Sequence, residues 1–491
     1  IGQSLRTNVS DAPRLTKTFG SGGNRQKWTF SFWIKRADLN DSLANYIFNA
    51  YSSGSEANFT FLHISNDHRV SAGGYGVNYF QTNLLARDPT NWYNIVYALD
   101  TQQSTASNRF KLYVNGTQIT SFASGTQPTI NDLAFNDAIQ HTLFANYYNG
   151  NYDSHTGGYF ADVNFIDNQQ LDASSFGEFK SGVWIPVDTA GLNFGTTGFR
   201  LEFKGTGTAT SSGAVSSPTN IGDDTSGNNN HFAVTGLAST DVVPDSPTNN
   251  FCTMNPLQKG AYISLSEGNL KVAGNNATNS AVALGTFAQT SGKWYFEVRQ
   301  GTVSSEFIGV MVKQVSFENS LIDGSNVAQT QGKGVVIRYN GNVRGISGEL
   351  QSVSAFTYTA GDIIGIAFDM DNGAVYFAKN NTWLNSGDPT SGSSKTGSFL
   401  NFTVDDTRIA TPALDSYNGG AVIANFGADS SFAGNATAQG NSDSGNSNTD
   451  FYYTPPTDFL ALCSANLPDT TISPNQGVGF QADDNFKTIT Y

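Results

Sequence analysis

From Trp28 to Lys35 the run WTFSFWIK alternates large apolar residues with polar ones, and the pattern returns at Trp92 to Leu99 (WYNIVYAL) and Phe110 to Val114 (FKLYV). Each reads as a half-buried strand of a sandwich. Asn115-Gly116 follows the third strand directly and precedes another β-prone stretch, Thr117 to Phe122, so a tight hairpin turn is expected there. Tyr159 to Ile166 (YFADVNFI) is a further strand, and Asp172 then offers an N-cap to a short helical turn. Leu201 to Phe203 closes this unit.

The second half repeats the pattern at Lys293 to Val298, Phe307 to Val312, Gly334 to Tyr339, Asp362 to Phe368 and Ala374 to Ala378. Turn signals at Asn340-Gly341 and Asp371-Asn-Gly373 separate some of these runs, which implies a second antiparallel β unit. Between Gly205 and Asn250 the chain shifts to Gly, Ser, Thr, Asn and Pro, a connector unable to bury a core of its own. Gly434 to Asp450 has a similar composition and reads as a flexible or tightly turning linker. The expected organisation is therefore all-β, with two tandem antiparallel sandwiches at 1–203 and 259–433. A connector (204–258), a linker (434–450) and a C-terminal segment (451–491) complete it. The last segment is too short for an independent core unless it packs on a neighbour. It ends in a strand-like run and leads toward a further module, and the initial Ile1 reads as a trimmed N-terminus.

Composition sharpens this picture. Of the 40 acidic residues only eight are Glu, and Asp prefers turns where Glu prefers helices. With 51 Gly, 35 Phe and 20 Tyr, the chain favours short strands joined by polar turns. A net charge of −14 with 13% charged residues argues against nucleic-acid binding, which draws on clustered cations. The apolar stretches, such as Ile363 to Phe368, fall well short of the ~20 residues a bilayer-spanning helix needs, so membrane insertion is not expected. Cys252 and Cys463 stand far apart without a CxxC spacing and read as free buried thiols.

The motifs SLRTN, RQKWTFSFWIKR, WYNIVYALD, RFKLYVNGTQIT and GGYFADVNFIDNQQLDASSFGEF, in this order, resemble the laminin G or concanavalin A-like jelly-roll family, in the variant found in phage virion proteins. The later motifs SGKWYFEV, FIGVMV, AGDIIGIAFDMDNGAVYFAKNNTW and VIANFG are similar to a SPRY domain. DDTSGNNNHF, DVVPDSPTNNFCTMNPL and FYYTPPTDFLALCSANLP resemble segments that join such modules in tail-fibre-like proteins of marine phages, including cyanophages. The resemblance implies a virion structural protein, a tail-fibre or appendage subunit. Its implied partners are other virion proteins, further copies of itself (a trimer for a fibre) and host-surface glycan or protein. A capsid-attached fibre or decoration protein is the alternative within virions, and a bacterial surface adhesin is one outside them.

Enzyme chemistry finds little support in the sequence. The pairs Gly292-Lys293 and Gly332-Lys333 are not followed by Ser or Thr, so no phosphate-binding loop is signalled. None of the five histidines is followed by Glu, and no G-x-S-x-G elbow occurs. A concanavalin A-like glycosidase needs two carboxylates about 5–10 Å apart. In the laminarinase type these come from E-x-D-x-E, and here no two Glu stand four apart. The expectation is a non-enzyme, with a polysaccharide depolymerase as the competing reading. Asp369 and Asp371 share a strand face, and their ordinary role is to serve a turn. Trp28, Trp33, Trp92 and Trp294 stand in strand patterns and are expected in sandwich cores.

Two segments are candidate sites. From Phe144 to Phe160, Tyr147, Tyr148, Tyr152 and Tyr159 interleave with Asn, Gly, Asp153 and His155. Tyrosine faces suit sugar rings, and the polar groups suit hydroxyls. Contact between protomers and packing beneath the loop account for the same residues equally well. Asp223, Asp224 and Asn228 lie in an oxygen-rich run that suggests Ca²⁺, which takes ~6–8 oxygen ligands, although the run lacks the bidentate Glu of an EF-hand. No other cofactor is expected.

Overall fold

The computed structural model describes residues 1–39, 42–54, 58–128, 133–215, 217–276, 281–302, 307–312, 334–344, 356–402 and 409–467. The run 313–333 and the end of the chain beyond Leu467 lie outside these residues, as does the possible further module.

Alternation decides the first sandwich. Strand Lys27–Arg36 is central in an eight-stranded antiparallel sheet, with Trp92–Asp100 on one side and Gly158–Asp167 on the other. Its Trp28, Phe30, Phe32 and Ile34 point inward, where they meet Phe48, Leu62 and Ile64 of the opposing sheet in one buried cluster. That opposing sheet also has eight strands, in the order Phe122–Ser124, Val77–Leu85, Arg69–Gly74, Phe59–Ile64, Asn45–Tyr51, Gln140–Leu143, Arg14–Thr18, Ala233–Thr235. The expected hairpin is present: Thr117 pairs with Val114 across Asn115-Gly116, whose φ angles of 46° and 79° suit those residues. Asp172 caps its short helix by accepting from the Ser174 N–H.

The second sandwich pairs a six-stranded sheet, built around Thr411–Ser416 and Phe307–Met311, with a nine-stranded sheet built around Lys293–Gln300 and Ile363–Asp369. Phe296, Val298, Ile364, Ile366 and Phe368 face Ile308, Val310, Ile337 and Leu414 in its core. Asp369 and Asp371 serve a turn: Asp369 accepts from the N–H groups of Asp371 and Asn372, and Asp371 accepts from that of Gly292. Both cysteines are free and buried. Among the described residues no helix is long and apolar enough to cross a membrane.

The polar segments are built into these sandwiches. Within 204–258, Ala233–Thr235 adds an edge strand to one sheet of the first sandwich and Val242–Val243 adds one to the other. In 434–450 and beyond, Leu460–Ala461 pairs in parallel with Lys293–Gln300, and Asp443 and Asp450 hold the intervening turns through backbone N–H groups. Short polar side chains supply the hydrogen bonds here that a regular ladder would otherwise provide.

His141 makes the first sandwich acid-sensitive. Its Nδ1–H donates to the Ile139 carbonyl at 2.9 Å, which leaves Nε2 to accept the Asn136 N–H at 3.1 Å. Phe19, Phe48 and Phe135 enclose the ring. Burial pushes its pKa down to about 4, because a proton on Nε2 would be buried and would meet another N–H. The unfolded chain takes up that proton near pH ~6.5, so stability should be complete above this value and fall by up to about 3 kcal/mol toward pH 4. Urea melts at pH 7 and 4.5 should show this loss, and His141→Gln should reduce it without abolishing it, since burial pushes His63 down to about 4 as well; equal pH slopes in both proteins would refute the assignment.

Candidate functional site

Residues Asn146–Tyr148 and Asn151–Asp153 form a two-stranded hairpin whose turn is Asn149-Gly150, with φ of 50° and 83°. Two left-handed residues in sequence need Asn and Gly, and they pair Tyr147 directly with Tyr152. The hairpin lies on the outer face of the sheet beneath it. Buried Asn49 points outward from strand Asn45–Tyr51 and fixes it, donating to the Tyr147 carbonyl and the Asn146 side chain and accepting the Tyr147 N–H.

Strand alternation supplies the rest of this face. Phe48, Ala50, Leu62 and Ile64 enter the core, so Tyr51, Phe59, Phe61 and His63 project to the other side with the hairpin. The rings make a continuous row. His63 stacks on Phe61 at 4.9 Å, and Phe61 meets Phe59 at 5.4 Å. Tyr148 touches Phe59 at 5.5 Å and Tyr51 at 4.7 Å. Tyr147 then links Tyr51 to Tyr152 at 6.0 and 4.9 Å, and the Arg14 guanidinium sits 4.3 Å above the Tyr152 ring. Gly73 makes the row possible, since a Cβ there would stand 2.6 Å from the Phe61 ring.

Exposure varies along the row. Tyr148 is 38% exposed, Tyr147 and Tyr152 are half-buried, and Phe59 and Phe61 are buried. Polar groups edge it: Gln140 donates to the Tyr152 hydroxyl at 2.9 Å, and Asp153 accepts from Asn146 at 3.0 Å. Burial pushes His63 down to about 4 and Tyr46 up to about 12, so both are neutral near pH 7. The site is a surface of neutral rings with amides, Asp153 and Arg14 at its margin.

Of the sequence candidates, Tyr147, Tyr148, Tyr152 and Asp153 come together here. His155 is half-buried beside the hairpin, with Nδ1 bonded to the Pro13 carbonyl. Tyr159 departs from the expectation. It is 2% exposed on strand Gly158–Asp167, faces the second sandwich and donates its hydroxyl to the Gly268 carbonyl at 2.8 Å. The glycines before it end the loop, and strand alternation then turns its ring away from the hairpin. Tyr51, Phe59, Phe61 and His63 were missed, although the alternation in NYIFNAY and FTFLHI carries the signal.

The candidate Ca²⁺ residues are committed to turns. Asp223 accepts from the N–H groups of Thr219 and Asn220 and from the Ser211 hydroxyl. Asp224 accepts from the N–H groups of Arg200, Ser226 and Asn230, while Asn228 donates to the Gly198 carbonyl. N–H groups aimed at a carboxylate occupy the lone pairs a cation would take. Among the described residues no group of three His, Cys, Asp or Glu side chains is placed to hold a metal.

Residues 13–173 match the family model of the concanavalin A-like lectin/glucanases superfamily, and residues 293–399 match that of the SPRY domain. The chain thus carries a concanavalin A-like domain followed by a SPRY domain. No curated protein matches it. Among solved structures, the SPRY domain of human HERC1 is similar at 17% identity and a TM-score of 0.26, over 35% of this chain and 96% of that one. The TRIM65 PSpry domain is similar at 14% identity and 0.27, over 36% and 89%. A heptameric SAP-like pentraxin from Limulus polyphemus is similar at 14% identity and 0.26, over 32% and 71%.

Proposed function

We propose that this chain is a non-enzymatic adhesion protein of a phage virion, a tail-fibre or appendage subunit, whose first sandwich holds host-surface glycan on the aromatic row ending at Tyr148 and Tyr152. The observation that carries the binding reading is the row itself. The exposed Tyr148 ring offers sugar C–H groups a flat apolar partner, and the exposed Asn151 and Asp153 stand beside it for hydroxyls. A superfamily of lectins and glucanases accommodates binding and hydrolysis alike. Hydrolysis needs a second carboxylate across the scissile bond, and the hairpin's Asp153 is engaged with Asn146. The virion assignment rests on the resemblance of the jelly-roll, SPRY and joining motifs to phage fibre proteins.

Weak sites of this kind gain useful avidity through copies in an oligomer, and a trimer is the expected form. The test is binding of the purified protein to surface polysaccharide from cells that adsorb the phage. Tyr148→Ala and Tyr152→Ala should each weaken binding by about tenfold, the worth of one stacked ring, and no oligosaccharide should be released. Unchanged binding in the double variant removes the row from the reading, and released sugar removes the non-enzymatic part. Immunogold labelling that marks the head favours the capsid-attached alternative; labelling absent from particles ends the virion assignment.

A further inference from the structure

A second concave surface lies where the two sandwiches meet. It is a cleft of about 900 Å³, within the range of small-ligand and oligosaccharide sites, and domain junctions are a common place for them. One wall comes from the first sandwich, including Asn8 and Arg87, and the other from the second, including Lys259, Ser264 and Ser266. Leu257, largely exposed, adds an aliphatic side.

Its walls carry both signs of charge: Asp38 lines it, and the Asn8 amide donates to the carboxylates of Asp11 and Glu267. The chain carries a net charge of −14, yet this cleft presents two cations without a carboxylate partner among the described residues. Among the described residues Arg87, which is exposed, makes no ion pair, and Lys259 donates to the Ile263 carbonyl at 2.8 Å. The buried Arg36 stands near enough to Asp38 to feel its charge. Hydroxyl and amide side chains alternate with aliphatic ones along the walls, which matches the two chemistries of a sugar ring. A cation without a carboxylate partner among the described residues selects for a negatively charged group.

We propose that this cleft binds an acidic oligosaccharide, with a carboxylate or sulfate group held by Arg87 and Lys259 and ring hydroxyls held by Ser264 and Ser266. The site is separate from the aromatic row and does not depend on it. Because both sandwiches supply a wall, neither forms it alone.

The test is calorimetric titration of the whole chain at low salt with a short oligogalacturonate, its methyl ester and a sulfated galactan fragment. Saturable binding of at least one anionic sugar is expected, and the tighter of the two identifies the acidic group. Esterification should weaken binding by about tenfold or more, and so should Arg87→Ala and Lys259→Gln each. Arg87 is exposed and makes no ion pair among the described residues, so its variant should melt at the wild-type temperature and keep the comparison clean. Tyr148→Ala should leave this binding unchanged, which separates the cleft from the aromatic row. Binding of neither anion, equal affinity for the methyl ester, or wild-type affinity in the Arg87→Ala and Lys259→Gln double variant overturns the proposal.

Discussion

Replacing Glu297 with alanine should destabilise the second sandwich by about 3–5 kcal/mol, the scale for removing one partner from a buried charged network. Glu297 lies on strand Lys293–Gln300 and is fully buried. Its carboxylate accepts the N–H groups of Tyr452 and Tyr453 at 2.8 and 2.7 Å, the Asn425 amide at 3.1 Å and the Tyr295 hydroxyl at 3.2 Å. Truncation takes this acceptor from the Tyr452 and Tyr453 N–H groups and the Tyr295 hydroxyl, leaves the Asn425 amide only the Asp450 carbonyl, and opens a cavity beside them. The segment after Asp450 is joined to the sheet here, so hydrogen exchange at the Tyr452 and Tyr453 amides should rise with the loss of stability. Glu297→Gln keeps the shape but turns an NH₂ toward N–H donors, and should cost about 2 kcal/mol. A loss below about 1 kcal/mol in the alanine variant would show that the donors find water instead.

Acid acts on this residue with the opposite sign to His141. Burial pushes the Glu297 pKa up to about 7, against the pull of its N–H donors, whereas the unfolded carboxyl titrates near ~4.3. Between these values the folded state holds more protons than the unfolded one, so this group's contribution to stability rises as pH falls. His141 should therefore lower stability, and Glu297 raise it, over the same acidic window.

What the chain reveals in one dimension follows from its physics. Lys27–Arg36 was readable within a residue or two from its alternation of large apolar and polar residues, and Ile363–Asp369 from a short apolar run bounded by turn residues, although both strands are buried on both faces. The Asn115-Gly116 turn was readable because two left-handed residues leave few alternatives. The Asn149-Gly150 turn carries the same signal, but it sits inside a run of aromatic and polar residues that reads first as a loop. The polar segments after Gly205 and Gly434 were harder, since their order comes from side-chain to backbone bonds that composition does not encode. Asp245 and Asp429 look like any turn aspartate in sequence; only the fold sets them opposite buried cations. Tyr159 misleads for a related reason, as strand parity and the close approach of Gly268 decide its partner.

The joint between the sandwiches is where the other large effect is expected. Arg6, on strand Ser4–Thr7, is fully buried and reaches Asp429 of the second sandwich at 2.7 Å, with further contacts to the Thr240 carbonyl and Asp241. Beside it, Lys35 bonds Asp245 at 2.8 Å and the Phe251 carbonyl at 2.6 Å, and Tyr159 bonds Gly268. A Cβ at Gly268, where φ is +66°, would lie 2.3 Å from the Tyr159 hydroxyl, so the close approach requires glycine. Arg6→Met keeps much of the volume but strands Asp429, and should cost about 3–5 kcal/mol. Removing Asp429 as well cannot simply restore the balance, because its oxygens also accept the N–H groups of Ser431 and Ala433. A double-mutant cycle with Asp429→Asn should therefore give a coupling of about 1.5 kcal/mol or more. Calorimetry should show one unfolding transition in the wild type and two in Arg6→Met, as the sandwiches begin to melt separately. Retention of one transition at an unchanged temperature would mean that the remaining contacts, such as Tyr159 to the Gly268 carbonyl and Lys35 to the Phe251 carbonyl, hold the joint without the ion pair.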